Sequence, residues 1–114
     1  MTIKITTEIK GNNEVSNFLQ SELITVEGKT ELTLNDLVDT DGIINIPFNK
    51  VGDISKIMIN CPSCNLVING TIIIPISGMF IWSVNPSFIS SIMSIGISTD
   101  STSALDCYIL ILGV

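Results

Sequence analysis

The sequence predicts an all-β protein: an antiparallel β-sandwich, jelly-roll-like, with about eight to ten short strands. Isoleucine is the commonest residue and Ala104 is the only alanine, a composition that favours pleated strands over helices. Apolar and polar residues alternate with a period of two in several segments, as in half-buried strands. Clusters of Gly, Asn and Asp separate these segments, as turns do. We expect one domain over residues 1–114.

The N-terminal residues predict a peripheral strand followed by a short helix. In Thr2–Lys10, Ile3 and Ile5 fall on one face, and lysine, threonine and glutamate fall on the other. Residues 13–23 show the only helical spacing of apolar residues, so at most one short helix is expected, near residues 13–21. Residues 1–21 would then form an arm or a peripheral strand with this helix.

Short strands are predicted along the rest of the chain. Asn69-Gly70 between apolar runs is the strongest hairpin signal. The final strand should be apolar on both faces, with Cys107 and Ile109 on one and Tyr108, Leu110 and Leu112 on the other. The predicted strands after the helix are Leu23–Glu27, Thr30–Leu34, Ile43–Phe48, Ile54–Asn60, Leu66–Asn69, Thr71–Ile76, Met79–Val84, Met93–Ser98 and Ala104–Leu112.

Charge and composition argue against catalysis and nucleic-acid binding. The chain has 114 residues, a formal net charge of −6, no histidine and five lysines as its only basic side chains. Histidine bases, arginine clamps for phosphate and basic nucleic-acid surfaces are therefore excluded. After Lys56 only Asp100 and Asp106 carry charge. A half-chain with so little charge is expected to lie against copies of itself or a partner.

Cys61-Pro62-Ser63-Cys64 is the one motif with potential chemistry. Three cysteines and no histidine leave a zinc site one ligand short. A thioredoxin-type dithiol opens a helix, whereas this motif connects two predicted strands. A turn with small buried residues is the favoured interpretation. A disulfide, or a metal or redox role for Cys61 and Cys64, stays open, but no catalytic residue, metal ion or cofactor is expected.

Four other features of the sequence each favour a simple interpretation over a functional one. Asp39 and Asp41 invite a calcium site, but an EF-hand register would place apolar residues at ligand positions, so a solvated turn is expected. Phe80 and Trp82 share a strand face, which would suit a sugar-stacking platform or, preferably, a core or an interface. The N-terminus lacks an unbroken apolar segment, so no signal peptide is expected. The apolar stretch from 66 to 84 is broken by Asn, Gly and Pro, so no membrane partner is expected.

The C-terminal half, from about Ile54, resembles small virion structural proteins of tailed bacteriophages. The resemblance lies in the succession of the strand ISKIMIN, the hairpin LVING, the segment IPISGMFIWS and the final strands SIMSIGIS and ALDCYILILG around the loop TDSTS. It implies a β-sandwich that assembles in many copies, without an enzymatic role, on the head, neck or tail of a particle. It supplies no functional residues, and the CPSC segment departs from it.

These observations together predict a non-enzymatic virion structural protein, capsid-associated or decorating, or a neck or tail accessory subunit. Its expected partners are copies of itself and other virion proteins: major capsid, portal or neck, and tail components. Its expected location is the virion, assembled in the cytoplasm of a host bacterium. The alternatives are a carbohydrate- or surface-binding β-module and a small membrane-associated protein. The candidate interface residues are Ile3, Ile5, Phe80, Trp82, Tyr108, Leu110 and Leu112.

Overall fold

The computed structural model describes residues 1–11, 17–49 and 51–114 and confirms an all-β antiparallel fold. Eight strands of these described residues form a two-stranded sheet, β1-β2, and a six-stranded sheet in the order β3-β8-β5-β7-β4, with β6 paired to β5. The strands are β1 (Thr2–Ile9), β2 (Phe18–Thr25), β3 (Gly28–Leu37), β4 (Ile44–Asn45), β5 (Ile54–Ile68), β6 (Ile72–Ser83), β7 (Ile95–Ser98) and β8 (Leu105–Gly113).

The helix predicted near residues 13–21 is wrong for its described part. Phe18–Thr25 is strand β2, which pairs antiparallel with β1 from Ile9↔Phe18 to Thr2↔Thr25. Residues 13–16 lie outside the described residues. Pairing with β1 provides hydrogen bonds for the backbone of this segment. Only Glu22 and Ile24 of β2 are half-buried, and their spacing of two residues is that of a strand. The helical segments of the described residues are instead α1 (Pro86–Ile89) and a 3₁₀ turn at Asp39–Asp41.

Strand β5 organises the six-stranded sheet. One edge pairs with β6 from Lys56↔Ser83 to Ile68↔Ile72, and the other pairs first with β8 and then with β7. The predicted strands Ile54–Asn60 and Leu66–Asn69 are therefore halves of one strand. The same is true of the two strands predicted between Thr71 and Val84, which are joined in β6.

A β-bulge explains how β5 stays continuous through the CPSC segment. Cys61 pairs with Gly78 and Cys64 with Ile76, so β5 has one residue more than β6 between these pairs. The extra residue changes which positions face the core: Ile57 and Ile59 before the bulge, even-numbered Leu66 and Ile68 after it. Gly78 lies opposite the bulge with a φ of 90°, a conformation that a side chain would strain.

The predicted hairpin at Asn69-Gly70 is confirmed. Both residues have positive φ, 57° and 72°, as the tight turns of hairpins require. The side chain of Asn69 also reaches the segment before β7, where its Oδ1 accepts hydrogen bonds from the N–H groups of Met93 and Ser94 and its Nδ2 donates to the Ser91 carbonyl. The turn is thereby tied to the neighbouring connection.

The core is one continuous cluster of aliphatic side chains from the six-stranded sheet and its loops. The alternation predicted for the last strand is confirmed on its inner face, since Cys107, Ile109 and Ile111 are fully buried. The outer face of β5 and β8 is partly covered by the hairpin β1-β2, whose inward side chains Ile3 and Ile5 are half-buried. The fold is thus sandwich-like, with a small second layer over one part of the large sheet.

Candidate functional site

The candidate interface residues divide between three surroundings. Ile3, Ile5 and Leu110 are half-buried. Together with Tyr108, and with Met79 and Ile81 of β6, they line a groove of about 330 Å³ between the hairpin and the large sheet. Leu112 is fully buried within the chain, so it has no surface to offer a partner. Tyr108 keeps 38% of its surface exposed.

Tyr108 is fixed by an acidic neighbour on β3. Its hydroxyl donates a hydrogen bond of 3.1 Å to Oε2 of Glu31, in the strand next to β8. Partial desolvation, followed by this carboxylate, raises the pKa of the phenol. Tyr108 is therefore a neutral donor on the outer face of the sheet.

The aromatic residues of β6 face inward. Phe80 and Trp82 are half-buried against the core, and the Trp82 ring lies 5.8 Å from that of Phe88 at an interplanar angle of 51°. A sugar-stacking platform needs aromatic faces open to solvent on one surface, whereas these rings contribute to the edge of the core. This placement favours the packing interpretation of the two residues.

The outward face of β6 is an apolar surface that sequence reasoning did not select. Ile73, Met79 and Ile81 are 61%, 64% and 43% exposed, and they alternate with the inward residues of the same strand. No strand of the described residues pairs with the second edge of β6. The 12-residue strand contains no charged side chain. Its period of two is visible in the sequence, but which face is open depends on the sheet order.

The other long edge strand, β3, differs sharply in charge. Among the described strands it pairs only with β8, and it carries Lys29, Glu31 and Asp36. Charged side chains on an edge strand discourage pairing with other chains. The two edges are thus unequal: β3 is protected by charge and β6 is not. Pro75 removes one backbone donor from β6 and is the only such interruption in that strand.

A second candidate site lies at the bulge of β5, where three thiols meet. Cys61 and Cys64 from the bulge and Cys107 from β8 are all buried, and their sulfur atoms lie within 4.8 Å of one another. All three are free thiols. The register Asn60↔Tyr108 places the inward neighbours Cys61 and Cys107 side by side, and the bulge turns Cys64 to the same face.

The three thiols have different pKa values. The pKa of Cys64 is lowered to about 7, chiefly by a hydrogen bond from Cys107. The pKa of Cys107 is raised by the same hydrogen bond and by burial, and that of Cys61 is raised by burial. The first proton to leave the cluster therefore comes from Cys64, and the other two thiols stabilise the resulting thiolate as donors.

The structure places the CPSC segment differently from the expected turn. The two cysteines are buried small residues, as expected, but they lie in a bulged strand and not in a connection between strands. Sequence reasoning counted all three cysteines toward a zinc site, but it linked only Cys61 to Cys64 and did not predict that Cys107 lies beside them. The sequence does place Cys107 on the inward face of the last strand. That Cys107 lies beside Cys61 depends on the β5-β8 register, which the sequence does not show.

The acidic residues near Asp39 form an ordinary exposed turn. Asp39–Asp41 is a single 3₁₀ turn, and Oδ2 of Asp41 accepts a hydrogen bond of 2.9 Å from the Val38 N–H. In the part of the chain that the structure describes, the only group of three or more potential metal-ligating side chains is the cysteine cluster.

Comparison of the chain with protein-family models, curated proteins and solved structures finds no match. Within the described residues, no helix has the length and apolar character needed to cross a membrane. The two features of the molecule that bear on its function are the edge strand β6 and the cysteine cluster.

Proposed function

We propose that this chain is a non-enzymatic structural subunit that assembles with copies of itself through strand β6. The observation that carries the proposal is the contrast between the two long edge strands. Within the described residues, strand β6 has an open edge, no charge and four exposed large apolar side chains, whereas β3 is charged. An uncharged open edge with an apolar face is a template for strand pairing.

A second copy of the chain is the occupant that the chemistry of β6 favours. Antiparallel pairing of β6 with β6 of another copy would bring the same residues together across a twofold axis, as in most closed dimers. Since β6 is uncharged, this pairing brings no like charges into contact along the strand despite the net charge of −6. The outward side chains Ile73, Met79 and Ile81 would each gain cross-strand neighbours from the other copy and lose part of their solvent contact.

The virion setting rests on the sequence resemblance alone. Within it, the subunit would be capsid-associated or decorating, or a neck or tail accessory protein, and its other partners would be virion proteins. The genes that flank the coding sequence test this setting. Neighbours encoding a portal, major capsid or tail-tube protein would support it, and a neighbourhood of metabolic genes would count against it.

Self-association through β6 is tested by measuring the molar mass of the purified chain over a range of concentrations. Light scattering after size-exclusion chromatography should give a mass above 12.3 kDa that falls on dilution. Ile81→Lys should give a monomer, because it places a charge on the outward face of β6. Thr33→Lys, an outward position on the already charged β3, is the matched control and should leave the mass unchanged.

Two results would overturn the self-association proposal. One is a wild-type chain that stays at the monomer mass at millimolar concentration. The other is an assembly that Ile81→Lys leaves intact while Thr33→Lys disrupts it, which would move the interface from β6 to β3. Circular dichroism of each variant establishes that the fold is retained.

A further inference from the structure

We propose that Cys61, Cys64 and Cys107 form a three-sulfur site for a soft, thiophilic metal ion, with monovalent copper as the ion that fits best. The inference stands apart from the proposed assembly role, because the cluster lies inside a single chain on the inward face of the sheet, whereas the exposed side chains of β6 are on the outward face. It rests on geometry, ligand number and burial.

The sulfur positions are close to those that an ion requires. At a metal–sulfur distance of about 2.3 Å, three sulfurs in a plane around one ion are about 4.0 Å apart. The three sulfurs here all lie within 4.8 Å of one another. Shifts of less than about 1 Å, within reach of side-chain rotation, would therefore close the site.

The number and type of ligands select the ion. Structural zinc sites take four ligands, and the chain has three cysteines and no histidine. Among the described residues, no carboxylate lies close enough to complete the group. Thiolates select soft ions such as monovalent copper, which is stable with three sulfur ligands.

The surroundings of the cluster suit a bound thiolate. A hydrogen bond from the Ser63 backbone favours the thiolate form of Cys61 and is the kind of outer donor that orients metal ligands. Cys107 and Cys64 give up their mutual hydrogen bond when both coordinate as thiolates. Each thiol that coordinates as a thiolate releases one proton to solvent, and no electron is transferred. The site is therefore loaded by exchange of protons for the ion.

The bulge brings the segment between the two cysteines to the surface. Pro62 and Ser63 are exposed, whereas the three cysteine side chains are buried. The Thr99 hydroxyl donates a hydrogen bond of 2.8 Å to the Ser63 carbonyl and holds the bulge in place.

The test is an anaerobic titration of the reduced full-length chain with monovalent copper in competition with a chromophoric chelator. We expect one copper per chain, ultraviolet thiolate-to-copper charge transfer, and three sulfur neighbours by X-ray absorption. Cys64→Ala and Cys107→Ala should each weaken binding at least tenfold. Met79→Leu is the matched control, because Met79 is an exposed sulfur ligand outside the cluster, and it should bind as the wild type does.

The proposal is overturned if the wild-type chain binds no copper in competition with the chelator. It is also overturned if Cys107→Ala leaves copper binding unchanged, or if Met79→Leu abolishes it. Circular dichroism of the metal-free variants shows whether they fold. If Cys107→Ala is unfolded, Cys64→Ala and the sulfur count in the wild type decide the question. A count of one sulfur would overturn the three-ligand site even with tight binding.

Discussion

The ion pair between Lys56 and Glu22 gives the sharpest prediction about stability. Lys56 Nζ lies 2.8 Å from Glu22 Oε2 and also donates to the Ser83 hydroxyl, so it joins β5, β6 and the hairpin β1-β2. The exposed fraction of the lysine side chain is 7% and that of the glutamate 43%. The two partners therefore lose very different amounts of hydration when they form the pair.

This asymmetry predicts that removing the acid costs more than removing the base. Breaking a buried pair from one side costs about 3–5 kcal/mol, and exposed pairs contribute about 0.2–1 kcal/mol. Because Glu22 is well exposed, Glu22→Gln should lower the free energy of unfolding by about 1–2 kcal/mol, since it leaves a buried ammonium without a counter-ion. Lys56→Met removes the buried charge and keeps the volume, so its cost should stay below about 1 kcal/mol.

Urea unfolding followed by the fluorescence of Trp82, the only tryptophan, measures both values at one fixed protein concentration. Glu8→Gln is the control, because the Glu8–Lys10 pair is 3.8 Å long with exposed side chains, and its effect should be within about 0.5 kcal/mol. The reasoning fails if Glu22→Gln costs no more than Glu8→Gln, or if Lys56→Met costs more than Glu22→Gln.

Three further predictions concern a strand end, a turn and the thiols. Gly113→Ala should lower the free energy of unfolding by about 3 kcal/mol or more in urea, because a Cβ would lie 1.9 Å from the Val51 carbonyl oxygen; a loss below 1 kcal/mol would contradict that packing. Asn69→Ala should cost about 2–4 kcal/mol in the same assay, through three lost hydrogen bonds and a strained positive φ, and Asn69→Gly should cost less because glycine tolerates that φ. In metal-free, reduced protein the lowered pKa of Cys64, about 7 against 9.0 when unfolded, should make stability rise from pH 7 to pH 9, and Cys64→Ala should abolish the rise; a flat wild-type profile would refute it.

The sign of the pH effect follows from proton binding. Between the folded pKa of Cys64 and the unfolded value, the unfolded chain binds more protons, so stability increases with pH. Above pH 9 the raised pKa values of Cys61 and Cys107 reverse this, because the folded state then keeps protons that the unfolded state has lost. Stability should therefore pass through a maximum near pH 9.

The all-β class could be predicted because it depends on local pattern. The two faces of β8 follow directly from the alternation after Ala104, and the Asn69-Gly70 turn from its dipeptide. The helix expected near residues 13–21 is wrong from Phe18 onward, because that segment is the short strand β2, which is covered on one face only. Its apolar residues Phe18, Leu19 and Leu23 stay exposed, so they match helical spacing without being selected by a core.

The candidate site depended on information that the sequence does not carry locally. The sequence does not reveal the bulge in β5, because the residues that face away from the core are also apolar. Met58 before the bulge and Val67 after it are examples. The meeting of Cys107 with the CPSC segment needs the β5-β8 register, and the open edge of β6 needs the strand order of the whole sheet. Local sequence determines which residues alternate, whereas long-range pairing determines which of them meet.

The position of β8 has a consequence for how the protein is made. Strand β8 lies between β3 and β5, so the edges of both stay unpaired until the ribosome has passed Gly113. A nascent chain that ends before Leu105 presents Ile57, Ile59 and their neighbours to solvent for seconds at the usual pace of synthesis, about 5–20 residues per second. Chaperones that shield nascent chains would thus meet this protein with its apolar sheet open, and synthesis of β8 ends that exposure.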